Sequence, residues 1–429
     1  MSNPGLPPAG AAYEVPFGKT ALGAACAPPS KSHTHRALFC AALAPGRSLV
    51  SNPLDSDDTR ATRRCLEALG ARIAAGPEGW TVLGTGGALA EPGQPLDCGS
   101  SGTTLRFLAA LCAAVPGTRG LSGSEQLRRR PMGEMAAALT ALGAVVLWKE
   151  REGFAPAEVR GKRWRGGLAE VPSSASSQFL SGLLLAAPLA AGPCEFSAPG
   201  LVSAPYAAMT AAVMARFGAV VSRPGEALWR VRPSAYAAAK ETVEPDASAA
   251  AFLLGAAAVT GGEVTIPGLS REMLQGDAAL LRHLEAFGVR VACGPRGATA
   301  SGTPTRGTDL DLRDCPDLAP PLAAVAFAAP GPSRFRGVSH LRHKESDRLA
   351  VLARGIAALG GSAEAAEDVL AVRPPRHPRG AELDPRGDHR MAMAFTLMGL
   401  RARGTRILDP GCISKSFPGF FTALERLLL

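Results

Sequence analysis

Two interleaved series of glycine-terminated segments run the length of this chain, and they restrict its possible folds more than any other feature. The first series has a polar start, an apolar stretch of helical length and a closing glycine. Its copies are SKSHTHRALFCAALAPG, SSGTTLRFLAALCAAVPG, SSASSQFLSGLLLAAPLAAG, DASAAAFLLGAAAVTGG, DLAPPLAAVAFAAPG and GDHRMAMAFTLMGLRARG. The closing glycines, from Gly46 to Gly404, lie 71, 75, 70, 69 and 73 residues apart. Helices apolar on nearly every side belong inside a core. The second series follows the first: a β-like stretch, a charged loop, and an amphipathic helix ending at Gly70, Gly143, Gly218, Gly288 or Gly360, at intervals of 73, 75, 70 and 72. Glycine just past a helix terminates it in the left-handed conformation at little cost. A sixth amphipathic copy, FTALERLLL, ends the chain.

Each repeat thus reads strand, helix, strand, helix and further strands, longer than the roughly 20–50 residues of a solenoid repeat. The pattern predicts an α/β fold of two similar domains, each made of three βαβαββ-type units. The sixth unit has no strand after its last helix, whereas residues 12–27 supply an extended stretch before the first. The reading assigns that stretch to the sixth unit's sheet. The expected domains are therefore a continuous one, 29–245, and a discontinuous one, 1–28 plus 246–429.

Composition narrows the function classes. Of the 429 residues, 46% are hydrophobic and 19% charged, ordinary for a globular chain. No apolar run reaches a membrane span, and LLLAAPLAAG (183–192) is interrupted by Pro188. The N-terminus carries no basic region followed by an apolar stretch, so a cytoplasmic protein with no membrane association is expected. The nine cysteines form no C-x-x-C pair and read as reduced, mostly buried thiols. A net charge of +9 without Lys/Arg runs interleaved with aromatics argues against a nucleic-acid partner. No phosphate-binding or dinucleotide-binding glycine motif is present. His33 and His35, two apart on a helix, would diverge, which makes them poor metal ligands.

The chemistry-bearing residues gather at helix starts and charged loops. Lys31, Arg36 and Arg106 open apolar helices, where a polar start with free N–H groups attracts anions. Each Ser-rich start is equally readable as a plain N-cap. Arg130 precedes Pro131 in a loop, Lys344, Glu345, Asp347 and Arg348 share another, Asp388-His389-Arg390 opens the last apolar helix, and Lys415 sits in GCISKSFPGF. If the repeats stack with these loops on one side, the charges converge. Many cations with two or three carboxylates suit polyanionic substrates and proton transfer.

Taken in order, SKSxxxR (Ser30 to Arg36), LDSDDT, GSSGTTLR, RRRPMG, SSQF, LVSAPY, PD (316–317), KESDR, DHRMAM and KSFP resemble the 5-enolpyruvylshikimate-3-phosphate synthase family over nearly the whole chain. The resemblance implies two domains of three similar units with a cleft between them. It also implies transfer of the enolpyruvyl group of phosphoenolpyruvate to shikimate 3-phosphate in the shikimate pathway of aromatic amino-acid biosynthesis, without metal or organic cofactor. Lys31, Ser32, Arg36, Ser176, Ser177, Gln178, Ser203, Tyr206, Asp317, His340 and Lys344 would bind shikimate 3-phosphate. Phosphoenolpyruvate would be bound by Lys31, Gly102, Arg130, Gln178, Arg348, Arg390 and Lys415. Asp317 would take the acceptor hydroxyl's proton and Glu345 would handle the proton at the methylene carbon, with Lys31 and Lys415 beside the reacting atoms. Partners are then the two small substrates alone, and a monomer is expected. Glyphosate is an inhibitor of the family, and Ser100, Phe107, Ala204 and His340, where many members carry Asn, Pro, Lys and Asn, bear on its effect and on fine affinity. Two other readings are a UDP-N-acetylglucosamine enolpyruvyl transferase, which usually carries a Cys in the loop here reading SGSEQLRRRP, and a non-catalytic phosphometabolite-binding protein, for which Asp317 and Glu345 would gain nothing.

Overall fold

The computed structural model describes residues 11–172 and 176–429. The first ten residues, read above for targeting signals, and Ser173–Ala175 of the Ser-rich helix start lie outside the described residues. Two compact units share the chain: Pro29–Glu244 is one, and Pro245–Leu429 with the segment ending at Pro28 is the other. Among the described residues the fold is mixed α/β with six small sheets, three in each unit.

One recipe is repeated. In five of the six sheets an edge strand lies parallel to an inner strand beside an apolar helix and an antiparallel hairpin completes the sheet, whereas the three-stranded sixth is completed by Tyr13–Glu14 alone. In Pro29–Glu244, Leu96–Asp97 runs parallel to Gly117–Ser122 around the helix Gly102–Ala114, and Gly167–Glu170 parallel to Cys194–Ser197 around Gln178–Ala186. The first repeat has no edge strand before its helix Lys31–Leu43, so Lys240–Thr242, from the far end of the unit, pairs in parallel with Pro45–Ser51.

The other unit meets the same difficulty at its first repeat. Leu22–Ala24 pairs in parallel with Glu263–Ile266 beside the helix Ala247–Thr260, while Tyr13–Glu14 pairs antiparallel with Arg406–Ile407 of the last repeat. The N-terminal stretch therefore serves two sheets, not the sixth alone. The reason is the vacant parallel edge of the fourth repeat, whose backbone groups need a strand.

The apolar helices are interior. Thirteen of the fourteen residues of Ala247–Thr260 are buried, as their all-round apolarity requires. Ser30, Ser101, Asp246 and Asp388 cap four of these helices through their side chains, so the polar starts do act as N-caps. Pro188, which lacks an N–H, ends the third helix early, and a 3₁₀ turn Ala187–Leu189 takes over. The glycines that close the outer amphipathic helices all adopt positive φ, from +83° to +108°. Among the described residues no helix is long and apolar enough to cross a membrane.

Candidate active site

In the unit Pro29–Glu244, the sequence-predicted residues gather at the N-terminal ends of the apolar helices. Lys31 stands at the first position of Lys31–Leu43, and its Nζ lies 2.9 Å from Oδ2 of buried Asp58. Arg36, one turn on, is fully buried. Its Nε donates to Thr210 Oγ1 (2.7 Å), and its Nη atoms donate to Ser32 O (2.8 Å), Ser181 Oγ (3.2 Å) and Tyr206 O (3.0 Å). Burial lowers its pKa to about 10, still a cation at neutral pH. Arg36 thereby ties Ser32 to the start of the helix Ala204–Arg216, which carries Tyr206.

Ser203, the residue before that helix, is buried with φ +55°, a conformation that a non-glycine residue holds only under tertiary constraint. Ser176 and Ser177 are buried at the start of Gln178–Ala186, and Ser176 Oγ accepts from Gln178 N at 3.3 Å. Gln178 Nε2 donates to Thr103 Oγ1 at 2.9 Å.

Gly102 opens the second apolar helix against the buried guanidinium of Arg130. A Cβ placed on Gly102 would clash with Arg130 Nη1 and stand 2.8 Å from its Cζ. The absent side chain is what lets the guanidinium lie over the helix start. The two histidines of SKSHTHR serve separate hydrogen bonds: His33 Nε2 meets Glu241 Oε1 at 2.6 Å, and His35 Nδ1 meets Thr62 Oγ1 at 2.8 Å. Burial pushes His35 down to about 3, which keeps it neutral.

In the other unit, the carboxylates and cations form one network centred on buried Arg348, the first residue of the helix Arg348–Ala358. Its Nη1 is 2.9 Å from Asp317 Oδ1, its Nη2 is 2.7 Å from Glu345 Oε2, and its Nε is 2.8 Å from Asp388 Oδ2. Arg390 Nη2 reaches Asp317 Oδ2 at 3.0 Å, and Lys415 Nζ lies 3.4 Å from Glu345 Oε1. Asp317 comes from the 3₁₀ turn Pro316–Leu318, Arg390 from the first turn of His389–Gly399, and Lys415 from the 3₁₀ turn Pro410–Lys415.

Burial works to raise the pKa of Asp317, but Arg390, Lys344 and Arg348 overcome it and hold the carboxyl well below the usual range. His340, on the turn Ser339–His343, is buried, and its Nε2 meets no hydrogen-bond partner among the described residues. Burial, then the charge of Lys344, push its pKa down to about 3, so it stands as neutral imidazole.

By themselves the motifs LDSDDT and DHRMAM give Asp58 and Asp388 no role. Both are buried carboxylates that hold a basic residue, Lys31 and Arg348 respectively. The available signal was an acid at a helix start, LDSDDT and DHR, where capping and ion pairing are indistinguishable by spacing. Chemically, the first cluster offers hydroxyls, an amide and cations suited to phosphate and hydroxyl groups. The second offers guanidinium forks with carboxylates poised between them, suited to anion binding and proton transfer.

Comparison with known proteins agrees. The sequence profile of the EPSP synthase family (3-phosphoshikimate 1-carboxyvinyltransferase) matches residues 18–424. The chain is 44% identical to the 3-phosphoshikimate 1-carboxyvinyltransferase of Methanoculleus marisnigri over 405 residues, covering 93% of this chain and 95% of that one. It is 38% identical to the enzyme of the same name from Thiobacillus denitrificans over 423 residues, with 96% and 99% covered. The solved EPSP synthase of Acinetobacter baumannii superposes with a TM-score of 0.78 at 26% identity, covering 97% of this chain and 98% of that one. With the repeats, both clusters and these relatives in agreement, the chain belongs to the EPSP synthase family, the 3-phosphoshikimate 1-carboxyvinyltransferases.

Proposed function

We propose that the two clusters divide the work of an enolpyruvyl transferase that joins phosphoenolpyruvate to the 5-hydroxyl of shikimate 3-phosphate and releases phosphate. The observation that carries this reading is the Arg348 network, in which Asp317 and Glu345 sit on the guanidinium forks of Arg348 and Arg390. A protein that only bound phosphometabolites would weaken its grip on anions by placing carboxylates there.

The roles follow from that chemistry. Lys31, Ser32, Arg36, Ser176, Ser177, Gln178, Ser203 and Tyr206 hold shikimate 3-phosphate, with Asp317, His340 and Lys344. Lys31, Gly102, Arg130, Gln178, Arg348, Arg390 and Lys415 hold phosphoenolpyruvate. The acceptor oxygen adds to C2 of phosphoenolpyruvate as its proton passes to Asp317, while C3 gains a proton from the protonated form of Glu345. The tetrahedral intermediate then returns the proton from C3 to Glu345 and expels phosphate, which takes up the proton held by Asp317, leaving the enol ether. An anion settling on the guanidinium groups relieves the pull on Asp317 and makes it a stronger base. The nine cysteines are free thiols, in keeping with the reducing cytoplasm in which we place the protein, as a monomer.

Purified protein is expected to release phosphate when given both shikimate 3-phosphate and phosphoenolpyruvate in the presence of a metal chelator. Turnover with UDP-N-acetylglucosamine and none with shikimate 3-phosphate would overturn the reading. A second expectation concerns Gly102→Ala, whose methyl must displace the Arg130 guanidinium. It is expected to raise the KM for phosphoenolpyruvate and to weaken glyphosate inhibition by a larger factor, at least about tenfold, equivalent to about 1.4 kcal/mol. Equal inhibition of variant and parent would refute it.

A further inference from the structure

Arg106 has no part in the roles assigned above, yet it is among the most enclosed cations of its unit. It lies one turn into the helix Gly102–Ala114 and is 2% exposed. Its Nη1 donates to Gln178 Oε1 at 2.6 Å and its Nη2 to the carbonyl of Pro131 at 3.2 Å, while its guanidinium carbon lies 5.1 Å from the centre of the Phe179 ring.

These contacts have a directional consequence. A guanidinium only donates, so the Gln178 atom that it meets is the carbonyl oxygen. The amide nitrogen is thereby turned towards Thr103, whose Oγ1 accepts from it at 2.9 Å. One N–H of the amide is fixed on Thr103, and the same two contacts set the direction of the other. The second fork of Arg106 anchors the backbone immediately after Arg130, the residue whose guanidinium lies against Gly102.

We propose that Arg106 is a positioning residue for enolpyruvyl transfer, which fixes the amide orientation of Gln178 and the placement of Arg130 by bridging their two segments from the start of the second apolar helix. The proposal rests on the functional reading above, because Gln178 and Arg130 matter to turnover only if they hold the substrates. Arginine is required because two acceptors in different directions need a planar fork, and a lysine ammonium is a point donor. The Phe179 face adds attraction for a delocalised cation beside it.

The test is a double-mutant cycle on the intact protein, read as KM for phosphoenolpyruvate at saturating shikimate 3-phosphate, together with kcat and melting temperature. Arg106→Lys is expected to raise the KM about tenfold with kcat within about threefold of the parent, the scale of one lost charged hydrogen bond. Gln178→Ala is expected to raise it about thirtyfold. Because Arg106 acts in part through Gln178, the double variant is expected to exceed the thirtyfold of Gln178→Ala only modestly and to fall clearly short of the roughly three-hundredfold product. A purely structural arginine would lower the melting temperature and give the product instead. If Arg106→Lys fails to fold, Thr103→Val removes the other contact that turns the amide and takes its place in the cycle. An unchanged KM in a folded variant, or multiplicative losses, would overturn the proposal. A parent that fails to turn over both substrates would overturn the functional reading, and the positioning role with it.

Discussion

Asp317→Asn and Glu345→Gln are each expected to slow turnover about a hundredfold or more while the protein still binds shikimate 3-phosphate, the usual loss when a proton-transfer group is removed. Both replacements keep side-chain size and an acceptor oxygen, so Arg348 Nη1 and Nη2 retain partners at the places now 2.9 Å and 2.7 Å away. What they lose is the ability to take or give a proton. An amide at position 317 would still accept a hydrogen bond from the guanidinium groups but could not carry away the acceptor hydroxyl's proton. An amide at position 345 would face Lys415 where a carboxylate oxygen now stands 3.4 Å from Nζ. Rapid-quench turnover alongside calorimetric binding of shikimate 3-phosphate checks this. Near-parental turnover in both variants would remove these residues from the chemistry, while loss of binding in step with turnover would make them structural.

The largest expected effect on stability belongs to Asp388→Ala. Asp388 is wholly buried, meets Arg348 Nε at 2.8 Å, accepts from Ser346 Oγ at 3.1 Å, and caps its own helix by accepting from Arg390 N at 3.0 Å. Removing it leaves a buried guanidinium short of one carboxylate, a change that typically costs about 3–5 kcal/mol. For a unit of this size that corresponds to a melting temperature lower by about 10 °C, readable by scanning calorimetry. A shift within about 2 °C of the parent would show that Asp388 is replaceable.

Acid behaviour of the parent gives the network a second reading in the same instrument. Because Asp317 is held below the ordinary carboxylate range, the unfolded chain binds the extra proton first as the solution is acidified. The stability that Asp317 contributes is therefore complete above the ordinary pKa of about 3.9 and falls away as the pH drops beneath it.

Much of this protein was written in its sequence, because much of it depends on local chemistry. The repeat could be read because each apolar helix must be buried and each outer helix must be stopped, and glycine at positive φ is the cheapest stop; Gly70, Gly143, Gly218, Gly288 and Gly360 all hold that conformation. The order of the motifs KESDR and DHRMAM likewise disclosed the family, since those acids and bases are contiguous in the chain. Strand pairing was a different matter. Nothing local to Leu22–Ala24 or Lys240–Thr242 says which sheet lacks an edge, because that vacancy exists only once the other strands have paired. The partners of the charges were equally hidden. The sequence placed Lys31 and Arg106 at helix starts and Arg348 in a charged loop, but tertiary packing brought Asp58 to the first, the Gln178 amide to the second and three carboxylates to the third. Residue type decides which groups can ionise or donate. Distance and burial set what each one meets and how strongly, and only the folded chain supplies those.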